Sequence, residues 1–199
     1  TADTVRTICD RRLTATGRKF DQIAFYGGNF TGMDRNHQIE LLDAAKGYIE
    51  AGMVGSIRIS TRPDYIDEDR MDILARYPVT TVEIGVQSMI DDILTASGRG
   101  HSAGDVRRAL GLLKSAGMAT GVHLMAGLPG DTPERFARTV DEIIALRPDT
   151  VRIHPTIVFR DTPLAEAYHR GTYRPLTLDE AVALCKDALL RFQKTGIPV

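Results

Sequence analysis

Short apolar segments and segments with helical spacing alternate along the whole chain. Five segments have the apolar, β-branched character of strands: QIAFY, SIRIS, TTVEIGVQ, TGVHLMAGL and TVRIHPTIV. Helical patterns follow them; after the first, Ile39, Leu42, Ala45 and Ile49 recur at three- and four-residue spacing. Strands that alternate with helices in this way run parallel and are joined by right-handed helical crossovers. The pattern therefore predicts an α/β fold.

Local signals place the starts of several helices. Ser102 with Asp105, and Thr177 with Glu180, have the spacing of capping boxes. Ahead of the first strand, the segment DTVRTICDRRL, which contains Cys9, also has a helical pattern. A longer connection after TVRIHPTIV leads into the last helical segment, LDEAVALCKDALLRFQKTG.

Polar residues occupy alternate positions of the predicted strands. The polar set is Arg58, Ser60, Glu83, Gly85, Gln87, His123, Arg152 and His154. A parallel sheet covered by helices on both faces, as in an open doubly wound fold, has almost uniformly apolar strands. A polar inner face instead indicates the lumen of a barrel or partial barrel, where water or ion pairs satisfy it. Arg58, Glu83 and Arg152 are accordingly expected to form a structural ion-pair network.

Composition excludes several classes of protein. The chain has 199 residues, of which 43% are hydrophobic and 26% charged, with a formal net charge of -1. It has no basic stripe of the kind that nucleic-acid binders use and no apolar run of membrane-spanning length. The two cysteines, Cys9 and Cys185, are far apart and belong to no local metal-ligand cluster, which is typical of a reduced cytoplasmic protein. Because the chain starts at Thr1, it is expected to be part of a longer protein.

Glycines and polar residues stand where the predicted strands end. They are Gly27-Gly28-Asn29, Ser60-Thr61-Arg62-Pro63-Asp64, Gln87-Ser88, Gly127-Leu128-Pro129-Gly130 and Pro155. In barrels, ligands bind at this edge of the sheet, where glycine lets a ligand approach the backbone. Each segment taken singly is also ordinary turn chemistry. GLPGDTPE, for example, is equally typical of a turn followed by an acidic helix start.

The ordered set of motifs resembles a known family. AFYGGNFTGM, IRISTRPDYID, VEIGVQSMIDDIL, SGRGHS and GVHLMAGLPGDT occur in that order on successive units. Together they resemble the radical S-adenosylmethionine (SAM) superfamily, most nearly the radical SAM domain of the elongator catalytic subunit, and more distantly oxygen-independent coproporphyrinogen oxidase. The resemblance implies an α/β partial (β/α)₆ TIM-like barrel without its first β/α unit. It also implies a single domain of residues 1–199, truncated at the N-terminus and at the C-terminus.

The family's chemistry depends on two cofactors. Members hold a [4Fe–4S] cluster with three cysteines spaced CxxxCxxC, bind SAM at its open iron, and cleave SAM to a 5′-deoxyadenosyl radical that abstracts hydrogen. The chain has no CxxxCxxC motif. The resemblance therefore implies SAM and a [4Fe–4S] cluster in the parent protein, while this chain is expected to bind no cluster and to be inactive alone. No catalytic residue is assigned.

The resemblance carries over to four positions in the first two units. Gly27, Gly28 and Asn29 match the motif that receives the amino group of SAM, although members often have Glu at the third place. Ser60 lies where relatives have a carboxylate that contacts the ribose or methionine of SAM.

Five further positions carry over in the later units. Gln87 matches a residue that hydrogen-bonds the ribose, and Arg99 matches an arginine that pairs with the methionine carboxylate. His123 occupies a position where some relatives have an acidic ribose ligand. Met125 and Gly127 match the strand and turn that run along the adenine.

The function implied is that of a radical SAM enzyme acting on an unknown substrate, for which the elongator resemblance suggests a tRNA base. Two alternatives stay open at this stage. One is a barrel enzyme that binds a phosphorylated metabolite through GLPG and the next helix N-terminus. The other is a non-catalytic barrel that binds a nucleoside or a protein. Without a preceding strand, the strand that contains Gln22 is expected to be an edge that either pairs with a second copy of the chain or stays exposed and causes aggregation.

Overall fold

The structure is a computed structural model that describes residues 1–199, with five parallel strands and eight α-helices. The strands are β1 (Phe20–Phe25), β2 (Val54–Thr61), β3 (Val79–Gln87), β4 (Ala119–Ala126) and β5 (Thr150–Pro155). The helices are α1 (Ala2–Thr16), α2 (Arg35–Glu50), α3 (Glu68–Leu74), α4 (Asp91–Ala96), α5 (Ala103–Ser115), α6 (Pro133–Leu146), α7 (Pro163–His169) and α8 (Leu178–Lys194). The strands lie in the sheet in the order β1-β2-β3-β4-β5. The predicted α/β class is confirmed, and none of the helices is both long and apolar enough to cross a bilayer.

The predicted helix starts are confirmed. Thr177 and Glu180 form a capping box at the start of α8, and Ser102 and Asp105 exchange backbone-to-side-chain hydrogen bonds at the start of α5. The long connection after β5 contains a further helix, α7. Its start carries a recognisable signal, since the Thr162 hydroxyl caps the helix and proline occupies its first turn.

The chain divides into two compact units, Thr1–Gly85 with Arg108–Thr120 and Val86–Arg107 with Gly121–Val199. That residues 1–199 form a single domain stays a prediction. In the first unit, β1 pairs with β2 and β2 with β3, all in parallel. Its core contains the predicted apolar strand positions, which are fully buried: Ile57, Ile59, Val82 and Ile84.

One polar strand residue of the first unit is more buried than the others. Arg58 and Ser60 keep partial exposure, whereas Glu83 is only 1% exposed. An Arg58 guanidinium nitrogen lies 2.5 Å from a Glu83 carboxylate oxygen. The predicted ion pair between these two residues is confirmed, and it supplies the partner that a buried carboxylate requires.

The second unit contains the parallel pair β4 and β5, in which His123 lies opposite Arg152 and Met125 opposite His154. The alternation is as predicted: Val122, Leu124 and Val151 are buried, while His123 keeps partial exposure and Arg152 and His154 are exposed. The helices α6 and α8 pack against each other in this unit. β5 also donates a hydrogen bond beyond the β4 pairing, from the Val151 amide to the Pro198 carbonyl oxygen at 2.9 Å.

Candidate functional site

The turn after β1 exposes a stretch of bare backbone. Gly27 and Gly28 have φ angles of 101° and 152° and are solvent exposed. A Cβ atom added to either would meet no atom within 4 Å. Together with Asn29 and Ser60 they border a cavity of about 250 Å³ whose walls include Phe25. The structure therefore brings together the four positions predicted for SAM in this unit.

Asn29 is turned toward the protein rather than left free for a ligand. Its Oδ1 atom accepts hydrogen bonds from the Thr61 hydroxyl at 2.6 Å and from the Arg62 amide at 3.3 Å. The Thr61 hydroxyl also contacts the Thr31 hydroxyl, and both threonines are almost completely buried. Asn29 therefore ties the turn after β1 to the end of β2. Thr61 was not among the predicted site residues, although it stands inside the quoted STRPD segment.

A second network begins at the residue that precedes the same turn. Tyr26, directly before Gly27, donates a hydrogen bond from its hydroxyl to Glu83 at 3.0 Å. Arg58 donates to Glu83 and, through Nε at 2.8 Å, to Gln22 Oε1. Burial is the largest single influence on the pKa of Arg58 and acts to lower it, but the hydrogen bonds and charges of Glu83 and Tyr26 together outweigh burial and leave the pKa raised. The polar side chains of β1, β2 and β3 thus form one hydrogen-bonded network around the ion pair of Arg58 and Glu83.

The end of β3 holds Gln87 in an unusual conformation. Its φ angle is 68°, and the Ser88 amide donates to the Val86 carbonyl oxygen at 2.9 Å, which closes a three-residue γ-turn. The left-handed region costs a non-glycine residue roughly 1–2 kcal/mol. The next residues are fixed, since the Met89 amide donates to the Thr139 hydroxyl of α6 at 3.1 Å. Such strain is typical of functional sites, and the sequence pattern gave no sign of it.

Two other predicted residues of the second unit are in contact. A guanidinium nitrogen of Arg99, Nη2, lies 2.9 Å from the Met125 sulfur. The rings of His123 and His154 lie near each other, with centroids 5.6 Å apart. Burial, followed by the neighbouring His123 and Arg152, lowers the pKa of His154. His154 is thus favoured in its neutral form, as expected for a histidine beside a second imidazole and a cation.

The turn after β4 is built differently from the turn after β1. Gly127 has a φ angle of 78°; its amide donates to Asp131 Oδ2 at 3.1 Å, and its carbonyl oxygen accepts from the Tyr173 hydroxyl at 2.7 Å. The following four residues form a hydrogen-bonded turn, closed by the Asp131 amide on the Leu128 carbonyl oxygen at 2.9 Å, with Pro129 in second and Gly130 in third place. Neither Asp131 nor Tyr173 was among the predicted site residues.

Asp131 also accepts a backbone hydrogen bond just ahead of α6. Its Oδ1 atom accepts from the Thr132 amide at 3.0 Å, and the Thr132 hydroxyl accepts from the Arg135 amide at 3.2 Å. Burial raises the pKa of Asp131, against the lowering effect of the Gly127 and Thr132 amides. Because a carboxylate already lies at this helix start, the geometry disfavours the alternative of phosphate binding here.

The residues of the chain do not fit an iron–sulfur cluster. Cys9 and Cys185 are free and half-buried, and burial raises the pKa of both thiols, with Asp10 adding to the effect at Cys9. A raised pKa disfavours the thiolate that metal binding requires. No group of three or more His, Cys, Asp or Glu side chains is arranged to hold a metal ion.

Comparison with known proteins identifies the family. The model of the radical SAM superfamily matches residues 9–143, and that of the radical SAM C-terminal domain matches residues 148–199. The chain therefore belongs to the radical SAM superfamily.

The comparison also shows which members of the superfamily this chain resembles. A tRNA uridine(34) acetyltransferase of Methanocaldococcus infernus is 39% identical over 127 residues, which is 62% of this chain and 24% of that protein. The solved structure of Methanocaldococcus infernus Elp3 with an N-terminal deletion matches with a TM-score of 0.79 and 30% identity, over 89% of this chain and 47% of that one. Escherichia coli coproporphyrinogen III oxidase, a radical SAM enzyme, has the same fold, with a TM-score of 0.71 and 19% identity over 98% of this chain and 46% of that one. These similarities confirm the predicted partial barrel class, and the chain spans about a quarter of the length of the first curated relatives.

Proposed function

We propose that this chain is the SAM-binding part of a radical SAM enzyme, and that the complete enzyme cleaves SAM to a 5′-deoxyadenosyl radical that abstracts hydrogen from a substrate. The observation that carries the proposal is the cavity at the end of β1, which Gly27, Gly28, Asn29 and Ser60 border. These are the positions that the resemblance assigns to SAM in this unit, and they lie inside the segment that the family model matches.

In the first unit, the backbone of Gly27 and Gly28 receives the ammonium group of SAM. Carbonyl oxygens accept hydrogen bonds from an ammonium, and the absence of Cβ atoms permits close approach. Because the Asn29 oxygen already accepts from Thr61 and Arg62, we assign Asn29 to holding the turn. Ser60 borders the same cavity and offers a hydroxyl to the ligand.

In the second unit, each assignment follows from the resemblance and the chemistry of the side chain. Arg99 has the planar guanidinium that pairs with a carboxylate in bidentate fashion. Gln87 offers an amide to a ribose hydroxyl, and His123 takes the place of an acidic ribose ligand. Met125 and the backbone of Gly127 run along the adenine.

The cluster cysteines are proposed to lie outside this chain, since Cys9 and Cys185 do not form a cluster site. The [4Fe–4S] cluster would supply the electron that cleaves SAM. The chain by itself is therefore expected to bind SAM weakly, through its own residues, and to leave it intact. We propose a cytoplasmic location, in line with two free cysteines.

SAM binding to the isolated chain is the direct test. Titration of ¹⁵N-labelled chain with SAM is expected to shift the amide resonances of Gly27 and Gly28. Gly28→Ala places a methyl group in the open approach and should abolish these shifts. Gly17→Ala is the matched control, because Gly17 also has a positive φ and open surroundings but lies at the end of α1. Shifts absent from the wild-type chain, or unaffected by Gly28→Ala, would count against the proposal.

The chemical step is tested in the natural protein that contains this chain, reconstituted with iron and sulfide without oxygen. After reduction with dithionite and addition of SAM, 5′-deoxyadenosine is expected by chromatography. The isolated chain treated identically should yield none. Product from the isolated chain would contradict the placement of the cluster cysteines outside it.

For the substrate, we propose a tRNA base. The support is the name of the similar archaeal proteins, tRNA uridine(34) acetyltransferases, while the net charge of -1 adds no electrostatic argument of its own. Incubation of the reconstituted protein with tRNA and SAM should increase 5′-deoxyadenosine above the level without tRNA. An unchanged level with tRNA, together with turnover on another substrate, would refute this choice.

We also propose that β1 pairs with a second copy of the chain. In the sheet order, β1 has only β2 beside it, and an apolar cavity of about 310 Å³ next to it is bordered by the partly exposed Ile8 and Phe20. Sedimentation of the isolated chain is expected to show association that rises with concentration. A monomer at high concentration would contradict this proposal.

A further inference from the structure

We propose that Tyr173 is a positioning residue that fixes the turn after β4 in the conformation that receives SAM. The inference rests on the proposed function, which places Gly127 against the adenine. Nothing in the sequence motifs marks Tyr173, since it lies on the connection between α7 and α8, 46 residues beyond Gly127.

Gly127 is held on three sides. Its amide donates to Asp131, its carbonyl oxygen accepts from Tyr173, and a Cβ atom in its place would lie 2.6 Å from two carbon atoms of the Leu176 side chain. Tyr173 and Leu176 come from one short segment, residues 172–176, which we call the strap. The strap therefore contributes two of the three contacts.

Tyr173 is well suited to act as a fixed donor. It is 8% exposed, and its own amide donates to the Ala167 carbonyl oxygen of α7 at 3.2 Å. Burial, and then the nearby Asp131, raises the pKa of Tyr173. The phenol thus keeps its proton at neutral pH, and a carbonyl oxygen can only accept, so the direction of the hydrogen bond is determined.

The consequence of this bond extends one residue along the chain. The Gly127 carbonyl and the Leu128 amide belong to one rigid peptide plane. Fixing the oxygen on Tyr173 therefore fixes the direction of the Leu128 N–H as well. Without the phenol hydroxyl, this peptide plane is held only by its covalent bonds to the neighbouring residues. Because Gly127 has no Cβ atom, the plane is then free to rotate.

The test compares the wild-type chain with Tyr173→Phe, which removes one oxygen atom and leaves the ring. Tyr168→Phe is the matched control, since Tyr168 is a half-exposed tyrosine of α7 in the same part of the chain. Two quantities are measured by NMR on ¹⁵N-labelled chain: hydrogen exchange without ligand at the Gly127 amide, which donates to Asp131, and the SAM affinity from the resonances of Gly127 and Leu128. Melting curves verify that the variants stay folded.

In Tyr173→Phe, exchange at the Gly127 amide is expected to quicken about tenfold, because the turn opens more readily, and SAM affinity to fall about tenfold, the factor for loss of one buried hydrogen bond. Tyr168→Phe should change both by less than twofold. Unchanged exchange and affinity in Tyr173→Phe would overturn the inference. If the wild-type chain binds no SAM while exchange still quickens, the strap fixes the turn as inferred and the proposed function fails instead.

Discussion

The turn after β1 and the turn after β4 use glycine for opposite physical reasons. At Gly27 and Gly28 the missing Cβ atoms leave open space, and the backbone is exposed on the wall of a cavity. At Gly127 the missing Cβ makes room for the packed Leu176 side chain. The first turn is thus suited to approach by a ligand, and the second to holding one backbone conformation.

The two turns are also stabilised from different distances along the chain. The first is held by Asn29, whose partner Thr61 ends the next strand. The second is held by Asp131, four residues away, and by Tyr173, which lies 46 residues away. A change in the C-terminal segment is therefore expected to affect the second turn and to leave the first unchanged.

The largest expected effect is a difference in stability between alanine variants of Gly127 and Gly27. Gly127→Ala combines a positive φ with overlap on Leu176 and should lower the free energy of unfolding by about 3 kcal/mol. Gly27→Ala has the backbone strain alone and should cost about 1.5 kcal/mol. Urea denaturation of both variants measures the difference.

A second substitution identifies the source of that difference. In Gly127→Ala with Leu176→Ala, the methyl group has room, and the additional cost of Gly127→Ala measured in the Leu176→Ala background should fall to about 1.5 kcal/mol. Equal costs in the two backgrounds would mean that Leu176 does not restrict Gly127.

The next largest effect concerns the hydroxyl that holds the first turn. Thr61→Val keeps the shape of the side chain but removes the donor to Asn29, and it should lower the free energy of unfolding by about 2 kcal/mol. Thr150→Val, at the exposed start of β5, is the control and should change it by less than about 0.5 kcal/mol. If the two variants have equal stability, the contact between Asn29 and Thr61 contributes nothing to the first turn.

The extent to which the structure can be predicted from the sequence differs between these regions, and the reason is physical. Strands such as β2 and β3 were predicted because apolar and polar residues alternate along them, and the sequence records that alternation directly. The cavity at Gly27 and Gly28 was predicted because its residues come from strand ends that a parallel sheet places at one edge. The role of Tyr173 was not predicted, because a contact across 46 residues leaves no local pattern. The orientation of Asn29 toward the protein was not predicted for a related reason: the sequence identifies a polar group but not the direction in which it points.

The turn after β3 offers a smaller effect that tests strain. Gln87→Gly removes the cost of the left-handed conformation but adds the entropy cost of glycine, so a net stabilisation of about 0.5 kcal/mol is expected. SAM binding should weaken, since the amide assigned to the ribose is lost. Asp161→Gly is the control, because Asp161 also has a positive φ, 59°, outside the site. Loss of stability in Gln87→Gly, measured by thermal unfolding, would argue that the γ-turn is not strained.

The smallest effect concerns pH and the end of the strap. The Glu180 carboxylate accepts from Arg174 at 2.6 Å and from the Thr177 amide at 2.8 Å, and these bonds, that of Arg174 first, lower its pKa to about 2. A lowered pKa means that the carboxylate stabilises the folded state above its unfolded pKa, and that this contribution is lost as pH falls from about 4.5 to about 2. Wild type should therefore be more stable than Glu180→Gln at pH 7, and the difference should shrink as pH falls over that window.

In an Arg174→Met background most of this pH dependence should disappear, because the largest cause of the lowered Glu180 pKa is gone. A difference between wild type and Glu180→Gln that stays constant down to pH 2 would show that Glu180 does not anchor the strap electrostatically. During the same titration the Gly127 resonance should differ between wild type and Glu180→Gln, beyond the shift that protonation of Asp131 causes in both, whereas the Gly27 resonance should not differ, since only the second turn depends on the strap.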